Sequence, residues 1–372
     1  MIKLKFLLPK KTKFLYFGKH SLDGLQEILK LNLNSYSIID NRKNEINVLV
    51  ALISIVKFFF ARKRLNDSLY LFYLVEYIKF VKPKYILNFL DNDTNYYKIK
   101  KYKIFSKLIS IQNGKRSSLN DIFGDNAFYL SKDLSCDYFF VFNKFVKEKY
   151  QKKIKSKYII LGSIKNNYYK KLAVKNFDTI IYISQFRKSR KVKIKNKNVN
   201  LQNWHEQHEK VLLKNILRFC EKKKLKLKIL PSKKFNSKDS CHEKKYYKKI
   251  ICSNNWEILK NTKNSYQLLD KFKYITNSNS TLGLEAFARG KRVGFFSKKN
   301  FYNNEKDSNF GWPYSLPDKG YFYSNKNSYS EVSRVLNYLI RVKDSEWDVL
   351  NRRFKKYTIE FNSNKKLFEI FL

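Results

Sequence analysis

Cysteine, glycine and proline are scarce in this chain of 372 residues, which contains only 4 Cys, 10 Gly and 5 Pro. The four cysteines form no C-x-x-C pair, and the four histidines do not complete a zinc-binding spacing with them. This pattern excludes the small disulfide-stapled and zinc-ribbon classes of protein. Free thiols in a reducing cytoplasm are therefore expected.

Long hydrophobic runs are also missing. The most apolar segment, INVLVALISIVKFFFA at residues 46–61, is interrupted by Lys57 and is shorter than the ~20 residues that a membrane-spanning helix needs. We expect it to form a buried core helix. The N-terminal residues have a very short apolar stretch, an early proline and no small-residue cleavage site, so they make a poor signal peptide.

Acidic residues are few relative to basic ones, since 78 Lys and Arg against 31 Asp and Glu give a formal net charge of +47. Such a charge calls for an anionic partner: nucleic acid, an anionic membrane surface, or phosphorylated small molecules. The lysines are spread along the chain, without a basic tail or a nucleic-acid-reading motif. A specific nucleic-acid partner is therefore not expected, whereas peripheral contact with an anionic membrane at the inner face of the cell membrane is consistent with the composition.

Short apolar runs alternate with helical patterns along the whole chain, which predicts an α/β protein with mainly parallel sheets. The length favours two domains that face a cleft, each of them Rossmann-like. We predict an N-terminal domain at residues 1–173 and a C-terminal domain at 174–345. A C-terminal helix at 346–372 is expected to pack back across either domain.

The segment TNSNSTLGLEAFARGKRVGFFS, residues 276–297, follows an apolar strand and should be a turn that begins a helix. Free backbone N–H groups and the helix dipole make such a turn a natural phosphate site, to which the hydroxyls of Ser278, Ser280 and Thr281 add donors. Gly283 would let a ligand or a neighbouring backbone approach closely.

Glu285, one turn into the same helix, could accept hydrogen bonds from the two hydroxyls of a ribose. These features together predict a site for a nucleoside diphosphate. The alternative is an ordinary capped helix that ends at Gly290, but capping explains only one of the hydroxyl residues.

The segment ISQFRKSR follows the first strand of the second domain and is expected near the same site. Ser184 and Gln185 would line the carboxyl edge of the sheet, and Arg187 could hold the diphosphate and offset charge on the leaving nucleotide. An ordinary basic loop is the alternative.

Two carboxylates, Asp91 and Asp93, follow a predicted strand of the first domain in LDNDTNYY. Either could be the general base that takes a proton from an acceptor hydroxyl. The alternative is an Asx-type turn or a helix cap, in which both bond to backbone amides.

Other polar residues at strand ends of the first domain are candidates for binding an acceptor. Gln112, Asn113 and Gly114 in IQNGKR form a predicted turn whose amides could contact sugar hydroxyls, and Ser163 in LGSIKNN could do the same.

The pair His205 and His208 lies beside Glu206 and Glu209 on a predicted helix, but a third metal ligand is not evident. We interpret this segment as a solvated helix start. No metal and no cofactor are expected.

The segment SNSTLGLEAFARGKRVGFFS resembles the donor-site segment of GT-B glycosyltransferases, and in detail that of a bacterial family of surface carbohydrate biosynthesis proteins of the lipopolysaccharide O-antigen type. The same family is suggested, in order along the chain, by NFLDNDTNYYKI, ISIQNGKR, DYFFVFN, IILGSIKNN and IYISQFR. The resemblance implies a sugar nucleotide bound mainly to the second domain and an acceptor bound to the first.

These observations predict a cytoplasmic, metal-independent glycosyltransferase that moves a sugar from a nucleotide-sugar donor to a surface glycan or lipid-linked glycan acceptor. A sugar-nucleotide epimerase or a polyol-phosphate transferase of the same fold is an alternative. A non-enzymatic basic protein that binds nucleic acid or anionic membrane is an alternative of another class.

Overall fold

The computed structural model describes residues 2–42, 44–61, 68–116, 133–194, 197–260, 264–278, 280–297 and 309–371. The chain divides into two compact units, of which unit 1 contains the described residues up to Lys165 and unit 2 those from Asn166 onward. Each unit has its own hydrophobic core around a central sheet.

The sheet of unit 1 has the strand order β3-β2-β5-β6-β7-β8, and every pairing in it is parallel. A separate parallel pair joins β1 to β4. The strands are β1 (Lys3–Lys5), β2 (Phe14–Phe17), β3 (Tyr36–Ile39), β4 (Glu45–Asn47), β5 (Tyr85–Asn88), β6 (Lys107–Ile111), β7 (Leu134–Val141) and β8 (Ile154–Ile160). The central strands β2 and β5 are buried at every residue, because helices cover both faces of a parallel sheet.

The helices of unit 1 follow the strands in the alternation that the sequence predicts. They are α1 (Lys19–Leu29), α2 (Val48–Ala61), α3 (Leu69–Val81), α4 (Thr94–Lys98) and α5 (Lys144–Gln151), with 3-10 turns at Leu33–Ser35 and Ile99–Tyr102. The short helix α6 (Ile164–Tyr168) contains the division between the units.

The segment SLDGLQEILKLN, residues 21–32, predicts a helix with Ser21 as its cap, and this cap is wrong. The helix begins earlier, after Gly18, whose φ of 83° suits a glycine at this position. Ser21 lies buried inside the first turn, where its hydroxyl donates to the Phe17 carbonyl and accepts from the Phe89 N–H. It therefore joins α1 to the end of β5.

The predicted burial of the apolar segment at 46–61 is also wrong. The segment does form a helix, α2, but only part of it faces the core: Val50 and Ser54 are buried, whereas Phe59 and Phe60 are exposed. Apolar residues occupy almost every position of α2, so the sequence gives no sign of which side of the helix faces solvent.

The sheet of unit 2 has the order β13-β12-β9-β14-β15-β17-β16 and is parallel except at its last pairing, β16 with β17. An antiparallel pair of strands, β10 and β11, stands apart from it. The strands are β9 (Asn176–Ile183), β10 (Lys191–Ile194), β11 (Lys197–Asn200), β12 (Lys226–Leu230), β13 (Trp256–Ile258), β14 (Phe272–Asn277), β15 (Arg292–Phe296), β16 (Lys319–Gly320) and β17 (Tyr323–Ser324).

The C-terminal segment of unit 2 contains two helices and packs on unit 2 itself. The helices of unit 2 are α7 (Leu201–Lys223), α8 (Lys238–Ile250), α9 (Ser265–Asp270), α10 (Thr281–Ala288), α11 (Tyr329–Arg341), α12 (Asp344–Lys355) and α13 (Lys365–Phe368). On α12 the Trp347 indole donates to the Gly290 carbonyl at 2.9 Å, and the Asn351 amide donates to the Phe287 carbonyl at 2.7 Å.

A buried ion pair holds the first residues of unit 2 against its sheet. Arg289 and Asp270 are both almost fully buried, and the Arg289 guanidinium also donates to the backbone carbonyls of Asn166 and Tyr169 at 3.0 Å. The Asp270 carboxylate in turn accepts from the Leu172 N–H at 3.0 Å. A buried charge is stable only when it is fully paired. The hydrogen bonds that Arg289 and Asp270 need therefore fix the chain segment that leads into β9.

Candidate functional site

The strand order of unit 2 reverses between β9 and β14. The chain continues from β9 to β12 and β13 on one side, whereas β14 and β15 extend the sheet on the other. Ligands of open parallel sheets bind at the carboxyl ends of the strands at such a reversal. The register pairs Tyr182 with Thr276 near these ends, so the turn after β9 and the turn after β14 lie side by side.

The turn after β14 is closed by an asparagine that the sequence did not single out as a site residue. The Asn277 side-chain oxygen accepts from the Ser280 N–H, and its NH₂ donates to the Ser280 carbonyl, both at 3.1 Å. The Ser280 hydroxyl then caps α10 by accepting from the Leu282 N–H at 3.3 Å. Thr281 is the first residue of α10, so the predicted hydroxyl-rich turn does begin this helix.

Gly283 is required by this same asparagine. A Cβ atom at Gly283 would lie 2.2 Å from the side-chain carbon Cγ of Asn277, a distance that real Cβ atoms do not reach. The close approach predicted at Gly283 therefore exists, and the Asn277 side chain makes it.

Ser278 is joined to helix α7 through a buried histidine. The Ser278 hydroxyl lies 2.5 Å from Nε2 of His208, and the Asn327 amide lies 2.8 Å from Nδ1 of the same ring. His208 is almost completely buried. The interpretation of its segment as a solvated helix start is therefore wrong.

The turn after β9 is built around a second buried network. The Ser184 hydroxyl donates to the Glu243 carboxylate and accepts from the Phe186 N–H at 3.1 Å. Gln185 is buried as well, whereas Arg187 is exposed and donates to the Phe186 carbonyl at 3.0 Å. Of the three residues predicted here, Arg187 is thus the one whose side chain faces solvent.

Glu209, next to His208 on α7, lies at the centre of that network. Its fully buried carboxylate accepts from the hydroxyls of Tyr182 and Tyr247 at 2.7 Å and of Tyr246 at 2.6 Å. It also accepts from the Gln185 N–H at 3.1 Å. Burial, and then the nearby Glu209 charge, raises the pKa of all three tyrosines well above its usual range, so they remain hydrogen-bond donors.

Glu285 is buried one turn into α10, where its carboxylate accepts from the Tyr266 hydroxyl at 3.0 Å. Its backbone carbonyl accepts from the Asn166 amide at 3.1 Å. The carboxylate of this predicted ribose-binding residue is therefore held by α9, and its backbone is held by α6. A fixed acceptor of this kind can bind hydroxyl donors without losing side-chain entropy.

In unit 1 the two candidate bases have different surroundings. Asp91 is completely buried, and its carboxylate accepts from the Arg116 guanidinium at 2.9 Å, from the Asn113 N–H at 3.2 Å and from the Tyr150 hydroxyl. These contacts tie together the polar residues that follow β5 and β6.

Asp93 is half-buried and caps α4. Its carboxylate accepts from the Asn95 N–H at 3.0 Å and from the Asn41 amide at 2.9 Å. Burial raises the pKa of Asp93, although both hydrogen bonds oppose the shift. A carboxylate of raised pKa is better suited to accept a proton than one held in an ion pair.

The predicted acceptor-binding residues lie at the carboxyl edge of the unit 1 sheet. The Gln112 side chain accepts from the Phe142 N–H at 2.9 Å and donates to the Gly114 carbonyl at 3.0 Å, so it joins the ends of β6 and β7. The Asn113 side-chain oxygen accepts from Arg116, and Ser163 is buried directly before α6.

Helical spacing is the signal that could have identified His208 and Glu209. Buried positions on α7 recur three or four residues apart: His205, His208, Glu209, Leu212, Leu213, Ile216, Leu217 and Cys220. The polar residues simply extend the apolar stripe towards the carboxyl edge of the sheet.

Among the described residues, no group of three or more His, Cys, Asp or Glu side chains could hold a metal ion. In the part of the chain that the structure covers, every helix falls short of the length or the apolar character needed to cross a bilayer.

Solved structures of similar fold span the whole chain. The UDP-GlcNAc 2-epimerase of Neisseria meningitidis, bound to UDP-GlcNAc, has a TM-score of 0.53 and 12% identity, over 97% of this chain and 99% of that chain. The Anabaena protein HepE, in complex with UDP and glucose, gives 0.51 and 12%, over 97% and 99%. A glycosyltransferase from Rickettsia africae gives 0.50 and 12%, over 98% of each chain. The predicted α/β fold of the GT-B-like class is thus confirmed.

The family follows from the sequence itself. Residues 109–372 match a family described as "putative O-antigen biosynthesis protein". The match covers more than half of the chain, so the protein belongs to this family of O-antigen biosynthesis proteins, as its resemblance predicted. No curated protein matches the chain at a significant level.

The buried network around Glu209 can be tested by replacing its carboxylate with an amide. In Glu209→Gln one oxygen becomes an NH₂ group, which cannot accept from a tyrosine hydroxyl. We expect urea unfolding to show a loss of about 1.5–3 kcal/mol in the free energy of unfolding.

Glu206→Gln, one turn earlier on α7, is the matched control. Glu206 pairs with Lys249 at 2.8 Å, and the lysine is largely exposed, so its loss should cost less than about 1 kcal/mol. Equal losses in the free energy of unfolding of the two variants would show that the buried network contributes no more to stability than the Glu206–Lys249 ion pair.

Proposed function

We propose that the protein is a glycosyltransferase that moves a sugar from a nucleotide-sugar donor to a surface glycan acceptor, with the nucleotide bound to unit 2. The observation that carries the proposal is that α10 begins at the reversal of the strand order. There Ser278 and Ser280 lie in the turn before α10, Thr281 is the first residue of α10, and Arg187 follows the neighbouring strand β9.

The donor diphosphate would lie over the first turn of α10. The positive end of the helix dipole favours an anion there. Because Arg187 is exposed, its guanidinium can turn towards the diphosphate and form charge-assisted hydrogen bonds. Glu285 would accept from the ribose hydroxyls.

In the transfer step an acceptor hydroxyl oxygen forms a bond to the anomeric carbon of the sugar. The bond from that carbon to the diphosphate breaks, and the nucleoside diphosphate leaves with the electron pair. Asp93 of unit 1 would take the proton of the acceptor hydroxyl. The proposal uses Asp93 because the Asp91 carboxylate is occupied by Arg116, Tyr150 and a backbone N–H.

A sugar-nucleotide epimerase is the second candidate. It is supported by the similarity in fold to the Neisseria meningitidis UDP-GlcNAc 2-epimerase along the whole chain. The same nucleotide site would serve either reaction, so the two candidates differ in the need for an acceptor.

The nucleotide site is tested by calorimetric binding of UDP, GDP, CDP, CMP and TDP to wild type and Glu285→Ala. We expect one nucleotide to bind selectively, and the variant to bind it about 10- to 100-fold more weakly, since hydrogen bonds to a charged carboxylate are lost. Equal affinity in the variant would rule out Glu285 as a ligand.

Tyr266→Phe is the control, because it removes the hydroxyl that holds Glu285 and leaves the carboxylate. It should retain most of the affinity. A loss as large as that of Glu285→Ala would mean that Glu285 acts through the packing of α9 and α10.

The type of reaction is tested by incubating the protein with the selected nucleotide sugar, with and without a glycan acceptor extract, and following the sugar signals by NMR. A glycosyltransferase should release the nucleoside diphosphate in an acceptor-dependent manner. Appearance of a second nucleotide sugar without acceptor would establish the epimerase instead.

The pH dependence of that reaction should identify the base. Asp93 must be ionised to accept a proton, and burial raises its pKa, so kcat/KM should fall with decreasing pH while the pH is still above the usual aspartate range. Asp93→Asn should lower the rate by about 10²–10⁴-fold and abolish this acid limb.

Asp23→Asn is a matched control, because Asp23 is an exposed carboxylate on α1 of the same unit. It should keep the wild-type pH profile. An acid limb that persists in Asp93→Asn would remove Asp93 from the mechanism.

A further inference from the structure

Helix α2 presents a stripe of large apolar side chains to solvent. Leu49, Leu52, Val56, Phe59 and Phe60 recur at helical spacing, and the last two are 65% and 87% exposed. Residues three, four and seven apart share one side of a helix, so these five form a continuous face. This set is called the outer face of α2 below.

The opposite side of α2 attaches the helix to unit 1. Val50 and Ser54 are buried there, and the Phe58 ring meets the Phe72 ring of α3 edge to face at 5.2 Å. Only this inner side of α2 is therefore used to pack the helix onto unit 1. Five exposed large hydrophobic residues on the other side are more than solubility favours, and such patches mark interaction surfaces.

The N-terminal residues add a second apolar segment beside the start of α2. Leu4 pairs with Ile46 in the β1–β4 ladder, and the Asn47 amide donates to the Leu7 carbonyl at 2.6 Å, directly before α2 begins. Ile2, Leu4, Phe6, Leu7 and Leu8 are all exposed. Two exposed apolar segments thus meet at Asn47.

Lysines are interleaved with these residues. Lys3, Lys10 and Lys11 are exposed in and after the N-terminal segment, and Lys57 is exposed on α2. The nearby carboxylates are already paired within unit 1. Glu45 bonds to Lys5, and the buried Glu76 bonds to Lys57 at 2.7 Å and to Lys79 at 2.6 Å.

We propose that unit 1 binds the surface of an anionic lipid bilayer through the outer face of α2 and residues 2–8. The apolar side chains would enter the acyl boundary while the lysines contact the anionic headgroups. With 14 residues α2 is about 21 Å long, too short for a core of ~30 Å, so it lies along the surface.

The charge pattern favours a bilayer over a second copy of the chain. In a symmetric dimer the same patch meets itself, so the lysines of one copy would face those of the other. Like charges at an interface oppose association. An anionic bilayer offers an apolar interior to the outer face of α2 and negative headgroups to the lysines around it.

The proposal is tested by sedimentation of the full-length protein with vesicles of phosphatidylcholine alone or mixed with phosphatidylglycerol. Wild type should bind the anionic vesicles more tightly and lose affinity with added salt. Phe59→Gln/Phe60→Gln should bind at least about tenfold more weakly, because two large apolar side chains no longer enter the membrane. Leu52→Gln/Val56→Gln should also bind the anionic vesicles more weakly than wild type.

Val211→Gln/Val349→Gln is the matched control, since it changes two exposed apolar residues on helices of unit 2. It should bind like wild type. Lys10→Gln/Lys11→Gln should weaken binding to anionic vesicles by about fivefold per lysine, with less effect on neutral ones. Circular dichroism should show the same unfolding transition for all variants, since the altered side chains are exposed.

Three outcomes would overturn the proposal. The first is equal vesicle binding by wild type and both α2 variants. The second is binding without preference for phosphatidylglycerol. The third is a wild-type dimer in sedimentation equilibrium that Phe59→Gln/Phe60→Gln dissociates, which would mean that a second copy covers the face. Nucleotide binding by unit 2 is measured separately, so its failure would leave this result unaffected.

Discussion

The carboxylate of Glu209 is the group on which the geometry of unit 2 depends. A buried charge is tolerated only when donors surround it, and here three tyrosine hydroxyls and a backbone N–H do so. The preceding residue, His208, bonds to Ser278. Two adjacent positions of α7 thus hold the turns after β9 and β14. The two turns are positioned by one rigid helix, so a ligand across both meets a preorganised surface.

Much of the fold could be predicted from the sequence because parallel strands are apolar on both faces. Runs such as those of β2, β5 and β9 stand out between helical patterns, and the order of elements then follows. The side of a helix that packs on the core could not be predicted where the sequence shows no clear separation of apolar and polar residues. Helix α2 is apolar on all sides, and the inner side is chosen by packing against α3. On α7 the polar residues suggested solvent, yet tyrosines from β9 and α8 enclose Glu209.

The positions of the candidate site were also predictable, whereas its contacts were not. Polar residues that follow apolar runs mark the carboxyl edge of a sheet, which located the turns at Ser184 and Ser278. The partners lie far away in sequence: Ser278 meets a histidine 70 residues distant, and Asp91 meets Tyr150 59 residues distant. Asp91 and Asp93 look equivalent in the sequence, but Asp91 is buried against Arg116 and Tyr150, whereas Asp93 is half-buried and caps α4.

The central position of β9 has a consequence for how the protein is made. Both neighbours of this strand, β12 and β14, lie later in the chain, so β9 leaves the ribosome long before either edge can be paired. Its last five residues are buried in the finished fold. Until Asn277 has been synthesised, the edge of β9 that faces β14 stays unpaired, and an unpaired apolar strand is the kind of segment that aggregates or recruits chaperones. Unit 1 completes its sheet with β8, before β9 is synthesised, so we expect unit 1 to fold before the unit that carries the candidate nucleotide site.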